Sequence, residues 1–131
     1  MKRIEAALRA HALSFPEARE DFPWGERVAK VGGRVFVFLG RGEGGLSMSV
    51  KLPGSATLAL DLPFASPTGY GLGRSGWVTA RFEAGEKPPL DLLKRWIDES
   101  YRAVAPKKLV ARLAAGGGKK EARRAGKAPA V

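Results

Sequence analysis

Two segments of the sequence alternate apolar and polar residues at successive positions, and this pattern constrains the fold more than any other feature. In residues 46–52 one side of an extended chain is entirely apolar, and the other side carries Ser47, Ser49 and Lys51. In residues 77–83 the side opposite the apolar one carries Trp77, Thr79 and Arg81. The two segments therefore predict half-buried antiparallel strands, each with one face open to solvent or to a ligand.

A pair of adjacent glycines predicts a β-hairpin earlier in the chain. Gly32-Gly33 joins two β-rich runs, Arg27–Val31 and Arg34–Leu39. Adjacent glycines supply the positive φ angles that a tight hairpin turn requires. In the second run Phe36 and Phe38 alternate with apolar residues, so both of its faces are apolar. Such a strand is expected at the centre of a sheet.

Helical periodicity marks the remaining elements. Residues 2–14 predict a short amphipathic helix, and residues 55–62 predict two turns with Ser55 as the cap. A longer helix is predicted over 90–104, and a short one over 107–113. The expected order up to the long helix is α-β-β-β-α-β-α. This order indicates an α+β domain with a mostly antiparallel four-stranded sheet flanked by helices.

Length and charge divide the 131 residues into one domain and a tail. Residues 114–131 contain five basic residues, one glutamate and almost no large apolar side chain, so they predict a basic disordered tail. Residues 1–113 are long enough for one core and keep a net charge of +6 out of the total of +10. This excess of positive charge favours polyanionic partners.

The amino-acid usage excludes several protein classes. The chain has no cysteine, which excludes disulfide scaffolds and cysteine-liganded metal sites. No apolar run approaches the ~20 residues that span a bilayer, and the charged start lacks a signal-peptide core, so we expect a cytoplasmic protein. Asparagine and glutamine are also absent, a depletion typical of thermophile proteins. A melting temperature in the ordinary mesophile range would contradict thermophily.

Motifs for cofactor or metal chemistry are not supported by their context. The glycine strings Gly40–Gly45 and Gly71–Gly76 match a dinucleotide fingerprint, but each leads into a predicted strand where that motif requires a helix. His11 is the only histidine, so a histidine metal cluster is excluded, and we interpret it as a half-buried helix residue. We expect no cofactor, no metal and no enzymatic activity.

The acidic residues Glu17, Glu20, Asp21 and Glu26 are grouped in one predicted loop. Paired carboxylates can perform acid–base catalysis, so an enzyme using these acids and the Trp24 loop is the third hypothesis. Acids that balance nearby arginines are the simpler interpretation.

Basic residues on hairpins, loops and outward strand faces are the candidate binding site. Arg34 and Arg41 lie at two predicted hairpins, Arg74 in a long loop, and the remaining candidates are Lys51, Trp77, Arg81, Lys107 and Lys108. Together they can contact phosphates, with Trp77 stacking on a base or an arginine. The same residues also fit ordinary solvated charges around a tryptophan that covers the sheet. Without asparagine or glutamine, any DNA readout would depend on phosphates, shape and arginine–guanine contacts.

Four segments resemble the MmcQ/YjbR family of small bacterial proteins. They are 16–25, containing Pro16-Glu17-Ala18 and Phe22-Pro23-Trp24-Gly25; 30–36; 46–52; and 69–78, which is followed by Ser100-Tyr101. The commonest family pattern has a histidine shortly before the tryptophan that corresponds to Trp77, where this chain has Gly71 or Arg74, so that histidine's role is not carried over. The resemblance implies an antiparallel sheet flanked by helices, similar to double-wing DNA-binding and secretion-chaperone-like folds.

Family members are commonly labelled DNA-binding because of this shape. The leading hypothesis is therefore a DNA-binding protein that contacts phosphates without sequence specificity through its basic hairpins and loops. The alternative is a protein-interaction module that presents an apolar face or a sheet edge. Convergence of the basic residues on one face favours the first hypothesis, and scattered charges beside an open apolar patch favour the second.

Overall fold

The computed structural model describes residues 2–22, 27–40, 45–69 and 71–114. Its helices are α1 (Lys2–Leu13), α2 (Ala56–Ala59), α3 (Leu90–Val104) and α4 (Lys107–Ala114), and a 3-10 helix spans Leu72–Ser75. The strands are β1 (Arg19–Asp21), β2 (Arg27–Val31), β3 (Arg34–Gly40), β4 (Leu46–Lys51), β5 (Ala65–Pro67) and β6 (Trp77–Phe82). Within these ranges every helix is too short or too polar to cross a bilayer. Arg41, Trp24, Glu26 and residues 115–131 of the predicted tail lie outside the described residues.

The strands form a six-stranded antiparallel sheet in the order β1-β2-β3-β4-β6-β5. The α+β prediction is confirmed, and the four expected strands correspond to β2, β3, β4 and β6. The expected number of four is wrong, because β1 and β5 extend the sheet at its two edges. Each edge strand has only three residues and carries no apolar alternation. Each edge strand forms because it hydrogen-bonds to the neighbouring strand, and its own sequence carries no periodic pattern that predicts it.

The hairpin between β2 and β3 forms at the predicted glycines. Gly32 has a φ of 59° and Gly33 a φ of 79°, and Val31 pairs with Arg34 across the turn. Two consecutive positive φ angles give a turn whose twist matches that of the flanking strands. The strand that follows the turn, β3, is the third in the sheet, as its two apolar faces predicted.

A β-bulge changes the direction of one aromatic residue in β3. Ala29 pairs with Val37 and Lys30 pairs with Val35, so Phe36 is left without a partner in β2. Both Phe36 and Val37 are fully buried. The strict alternation expected along β3 is therefore interrupted, and Phe36 and Phe38 do not share a face.

Helices α1 and α3 cover one face of the sheet, which we call the inner face. The register places Val37, Val50 and Val78 in one row of this face, and all three are fully buried. On α3 the apolar side packs into the same core through Leu93, Trp96 and Ile97. The opposite face, which we call the outer face, carries the polar residues of the alternating strands.

Two adjacent residues of α3 hold the inner face together. Ser100 is fully buried; its hydroxyl donates to the carbonyl oxygen of Phe36 at 2.5 Å and accepts the N–H of Lys51 at 2.9 Å. The hydroxyl of Tyr101 donates to the carbonyl oxygen of Pro16 at 2.7 Å. The Tyr101 ring stacks on Phe15 with centroids 4.5 Å apart. These contacts join α3 to β3, to β4 and to the loop after α1.

The short helix after β4 is smaller than predicted. It spans Ala56–Ala59 where two full turns over 55–62 were expected, and the Ser55 side chain forms no capping hydrogen bond. Its hydroxyl donates instead to Glu99 of α3 at 2.6 Å, and the same carboxylate accepts the N–H groups of Gly54 and Ser55. A stronger, charged acceptor from another element therefore replaces the local cap.

Candidate nucleic-acid interface on the outer face of the sheet

The outer face collects cations from four strands. The register pairs Arg19 with Lys30, Lys51 with Trp77, and Arg81 with Ser47. Because side chains alternate along each strand, these residues lie on the same side as Ser49 and Thr79. The strand residues of this face therefore include four basic residues and one acidic residue, Asp21.

Three of these cations follow one line across the sheet. Arg19 of β1 pairs with Lys30 of β2, Lys30 pairs with Val35 of β3, and Lys51 lies at the corresponding end of β4. Neighbouring strands lie ~4.8 Å apart, so the line extends over about 14 Å. A line of this length can contact several consecutive phosphates of one strand.

Most of the outer-face cations have no acidic partner. Lys30 lies 3.3 Å from Asp21, but Arg19, Lys51 and Arg81 form no ion pair with any residue that the structure describes. The backbone N–H of Phe22, followed by the Lys30 ammonium, holds the pKa of Asp21 below its ordinary value. The one acidic strand residue of this face is thus already engaged, and the unpaired cations remain available to an anionic ligand.

A cleft of about 700 Å³ opens on the same face and continues around the end of the sheet to Glu5, Arg27 and Leu39. Phe38, Ser49 and Thr79 line it from the sheet. Leu72 of the 3-10 helix and the loop residue Thr68 line it from the segment that connects β5 to β6. The connecting segment therefore lies over part of the sheet, and Arg81 and Phe22 also line the cleft.

Three hydroxyl groups form a chain in the cleft. The oxygen of Ser49 lies 2.7 Å from that of Thr79, which lies 2.9 Å from that of Thr68. Ser49 and Thr79 retain only 9% and 7% of their exposure. Buried hydroxyls need hydrogen-bonding partners, and here each one finds a partner in its neighbour.

The sequence-predicted site residues occupy different parts of the fold. Lys51 and Arg81 project from the outer face as predicted, and Trp77 lies on that face but is only 8% exposed, with its ring 5.5 Å from that of Phe38. Arg74 is exposed on the 3-10 helix just before Trp77. Lys51, Arg74 and Trp77 thus belong to one end of the sheet, and Arg81 lies further along β6.

The remaining candidates lie near the hairpin at that same end. Arg34 is exposed directly after the turn, and Lys107 and Lys108 are exposed at the start of α4. A side chain added at Gly32 would meet the ring of Pro106 at 3.4 Å, so the hairpin turn lies against the residue that precedes α4. Among the residues described, none of these three cations has an ion-pair partner. Arg41 lies outside those residues.

Two outer-face cations were missed by sequence reasoning. Lys30 stands between the apolar residues Ala29 and Val31, and this alternation was a usable signal for an outward-facing side chain. Arg19 gave no such signal, because the three residues of β1 are all charged. Its direction depends entirely on the pairing of β1 with β2.

The acidic residues predicted as a cluster are distributed among separate ion pairs. Arg9 donates to both oxygens of Glu20, at 2.5 and 2.8 Å, and Arg27 lies 3.1 Å from the same carboxylate. The hydrogen bonds from Arg9 hold the pKa of Glu20 below its ordinary value and raise the pKa of Arg9. Glu17 lies 3.5 Å from Arg112, and Glu26 lies outside the described residues.

The other polar features of the sequence have structural roles in the fold. His11 is half-buried, with its Nε2 atom 2.7 Å from a carboxylate oxygen of Asp98 on α3. The glycine string Gly71–Gly76 surrounds the 3-10 helix and leads into β6. Across the described ranges, no group of three or more acidic or histidine side chains is placed to hold a metal ion.

Exposed apolar residues are split between opposite edges of the sheet. Phe22 follows β1 and is 53% exposed, whereas Leu58 and Leu60 belong to α2 and its end, beside β6. These are the exposed large apolar residues of the part that the structure covers, and they do not form one patch. A single open apolar patch, one of the two features of a protein-interaction module, is therefore not seen among the described residues.

Comparison with known proteins gives one family. The YjbR family model matches residues 13–103, which include all six strands and nearly all of α3. A search of curated proteins gives no match.

Proposed function

The chain belongs to the YjbR family, and we propose that it binds DNA without sequence specificity, through phosphate contacts from the outer face of its sheet. The observation that carries the proposal is that Arg19, Lys51 and Arg81 come from three separate strands, lie on one face and form no ion pair with described residues. Unpaired cations on one surface attract a polyanion and release its counterions on binding.

The distribution of acidic residues supports the same surface. Glu20 of β1 lies on the inner side of the sheet, where Arg9 and Arg27 neutralise it. Asp21 is the one acidic strand residue of the outer face, and Lys30 neutralises it. The phosphate backbone would therefore meet little repulsion on the outer face.

The side chains on this face favour backbone contacts over base reading. Lysine and arginine bind phosphate oxygens, whereas the usual readers of adenine, asparagine and glutamine, are absent from the whole chain. We therefore expect similar affinities for unrelated sequences. Arginine contacts to guanine are the only strong base contacts available.

The proposal is for a binding protein without catalysis. The acids that could serve an enzyme are engaged by basic partners: Glu17 by Arg112, Glu20 by Arg9, and Asp21 by Lys30. The pKa values of Glu20 and Asp21 are held below their ordinary values by their hydrogen-bond partners, so these two carboxylates are poor proton acceptors at neutral pH.

The test compares two triple variants of the full chain that lose the same charge. The first is Arg19→Ala, Lys51→Ala and Arg81→Ala, on the outer face. The control is Lys94→Ala, Arg95→Ala and Arg102→Ala, on helix α3, which packs against the inner face. Binding of fluorescent random-sequence single-stranded and duplex DNA is measured by anisotropy over a series of salt concentrations.

We expect the wild type to bind one or both forms of DNA with an affinity that falls steeply as salt rises. The outer-face variant should lose affinity, and its plot of log K against log salt should be shallower by about 2 to 3. The α3 variant should behave like the wild type. Equal losses in the two variants, no loss in either, or no binding by the wild type would overturn the proposal.

A further inference from the structure

The three hydroxyl groups in the cleft have one hydrogen atom that takes no part in the hydrogen bonds between them. Ser49, Thr79 and Thr68 provide three O–H donors, and the two hydrogen bonds that link them use two. Within the described chain, the third donor has no acceptor. Ser49 and Thr79 are more than nine-tenths buried, and all three residues line the cleft, so the unused donor belongs to the cleft wall whichever hydroxyl carries it.

The other walls of the cleft specify more about its occupant. Phe38 and Leu72 add apolar surface, and the guanidinium of Arg81, which also lines the cleft, adds donors that no described acid engages. Thr79 and Arg81 lie two residues apart on one strand face, so roughly 7 Å separates their Cα atoms. The occupant should therefore combine a flat apolar ring, a carbonyl acceptor and a nearby negative charge.

We propose that the cleft receives one unpaired nucleobase of the bound DNA, an inference that rests on the proposed function. The free hydroxyl proton is donated to a carbonyl oxygen of the base, Phe38 contacts the ring, and Arg81 binds an adjacent phosphate. A thymine fits these donors well because it presents two carbonyl acceptors. The cleft of about 700 Å³ is large enough for a base together with its sugar.

This arrangement favours single strands over duplexes. A base inside a duplex is stacked and paired on its Watson–Crick edge, so it must leave the stack before it can enter a recessed cleft. A base in a single strand enters without that cost. Contact between a base and an aromatic ring contributes enough to distinguish the two forms.

The experiment separates base contacts from phosphate contacts by using three probes of equal length. They are oligothymidylate, an abasic strand with the same number of phosphates, and a duplex. The double variant Ser49→Ala, Thr79→Val removes two of the three hydroxyl groups in the cleft. The new side chains keep nearly the same shape as the original ones. The matched control, Ser14→Ala with Thr57→Val, removes two exposed hydroxyls elsewhere. Circular dichroism checks that both variants are folded.

We expect oligothymidylate to bind at least about fivefold more tightly than the abasic strand or the duplex. The cleft variant should weaken oligothymidylate about three- to tenfold and leave abasic-strand binding unchanged, while the control variant changes neither. A strand with photoreactive 5-iodouracil should cross-link to Phe38. Equal binding of oligothymidylate and the abasic strand, or an equal response of the two variants, would overturn the inference while leaving phosphate binding intact. The proposed function is tested separately, by measuring whether the outer-face triple variant loses binding to all three probes.

Discussion

The inner and outer faces of the sheet differ in how they use their hydrogen-bonding groups. On the inner side the Ser100 hydroxyl both donates and accepts, and the Tyr101 hydroxyl donates to Pro16. On the outer face the side chains of Arg81 and Lys51 form no ion pair with described residues, and the hydroxyl chain keeps one unused donor. A folded chain satisfies its own polar groups where it needs stability. The face with unused donors is therefore the place to look for a ligand.

Residues from several of the segments that carry the family resemblance meet on the inner side. Ser100 and Tyr101 reach Pro16, Phe36 and the backbone of Lys51, which belong to three of the other resembling segments. The motifs thus meet one another in the core. A match to the family model consequently reports how the chain folds, and the outer face must be studied separately to learn what it binds.

The largest expected difference in stability between variants of the two faces concerns two phenylalanines of strand β3. Phe36 is fully buried and packs against Tyr101 with ring centroids 5.3 Å apart, whereas Phe38 is half-buried on the outer face. Phe36→Ala should lower the free energy of unfolding by about 3 to 5 kcal/mol because it leaves a cavity. Phe38→Ala should cost clearly less, as measured by urea denaturation. Equal costs would contradict the assignment of the two rings to different faces.

A smaller difference is expected between two buried serines. Ser100→Ala leaves the Phe36 carbonyl and the Lys51 N–H without their partner, so it should cost about 1 to 3 kcal/mol. Ser49→Ala should cost less than about 1 kcal/mol, because Thr79 keeps its hydrogen bond to Thr68. Chemical denaturation of both variants checks this order. If Ser49→Ala cost more than Ser100→Ala, the outer-face hydroxyls would contribute more to stability than Ser100 does.

The Arg9–Glu20 pair gives the stability of the fold a dependence on pH. Because hydrogen bonds from Arg9 hold the pKa of Glu20 below its ordinary value, the pair stabilises the fold above that value. This contribution is lost as the pH falls through the lower folded-state pKa. Glu20→Gln should therefore lower the Tm at neutral pH, and its Tm should approach that of the wild type in acid. Parallel curves of Tm against pH would contradict the role of this pair.

The smallest effect is expected from the outer-face cations themselves. Replacing Arg19, Lys51 and Arg81 by alanine should change the free energy of unfolding by less than roughly 0.5 kcal/mol for each residue, because none forms an ion pair with a described residue. Thermal unfolding of the triple variant measures this directly. A large loss of stability would show that these side chains support the fold, and the contrast between the faces would then disappear.

Sequence periodicity predicted the elements that have strong patterns of their own. The glycine hairpin, the alternating strands β4 and β6, and helix α3 were all expected where they occur. The outward direction of Lys51 and Arg81 also followed from alternation, and the register confirms it. The edge strands β1 and β5 and the contribution of Arg19 were not predicted, because three residues are too few to establish a period.

The amino-acid sequence by itself determined the α+β class, the excess of positive charge and the polar side of each alternating strand. The tertiary structure alone decided which cations share a face, that Phe36 turns inward at the bulge, and that Thr68 joins Ser49 and Thr79 in one cleft. The physical reason is the separation in sequence over which each effect acts. Alternation and helical periodicity act between near neighbours in the chain, whereas register, bulges and loop placement depend on residues far apart in sequence.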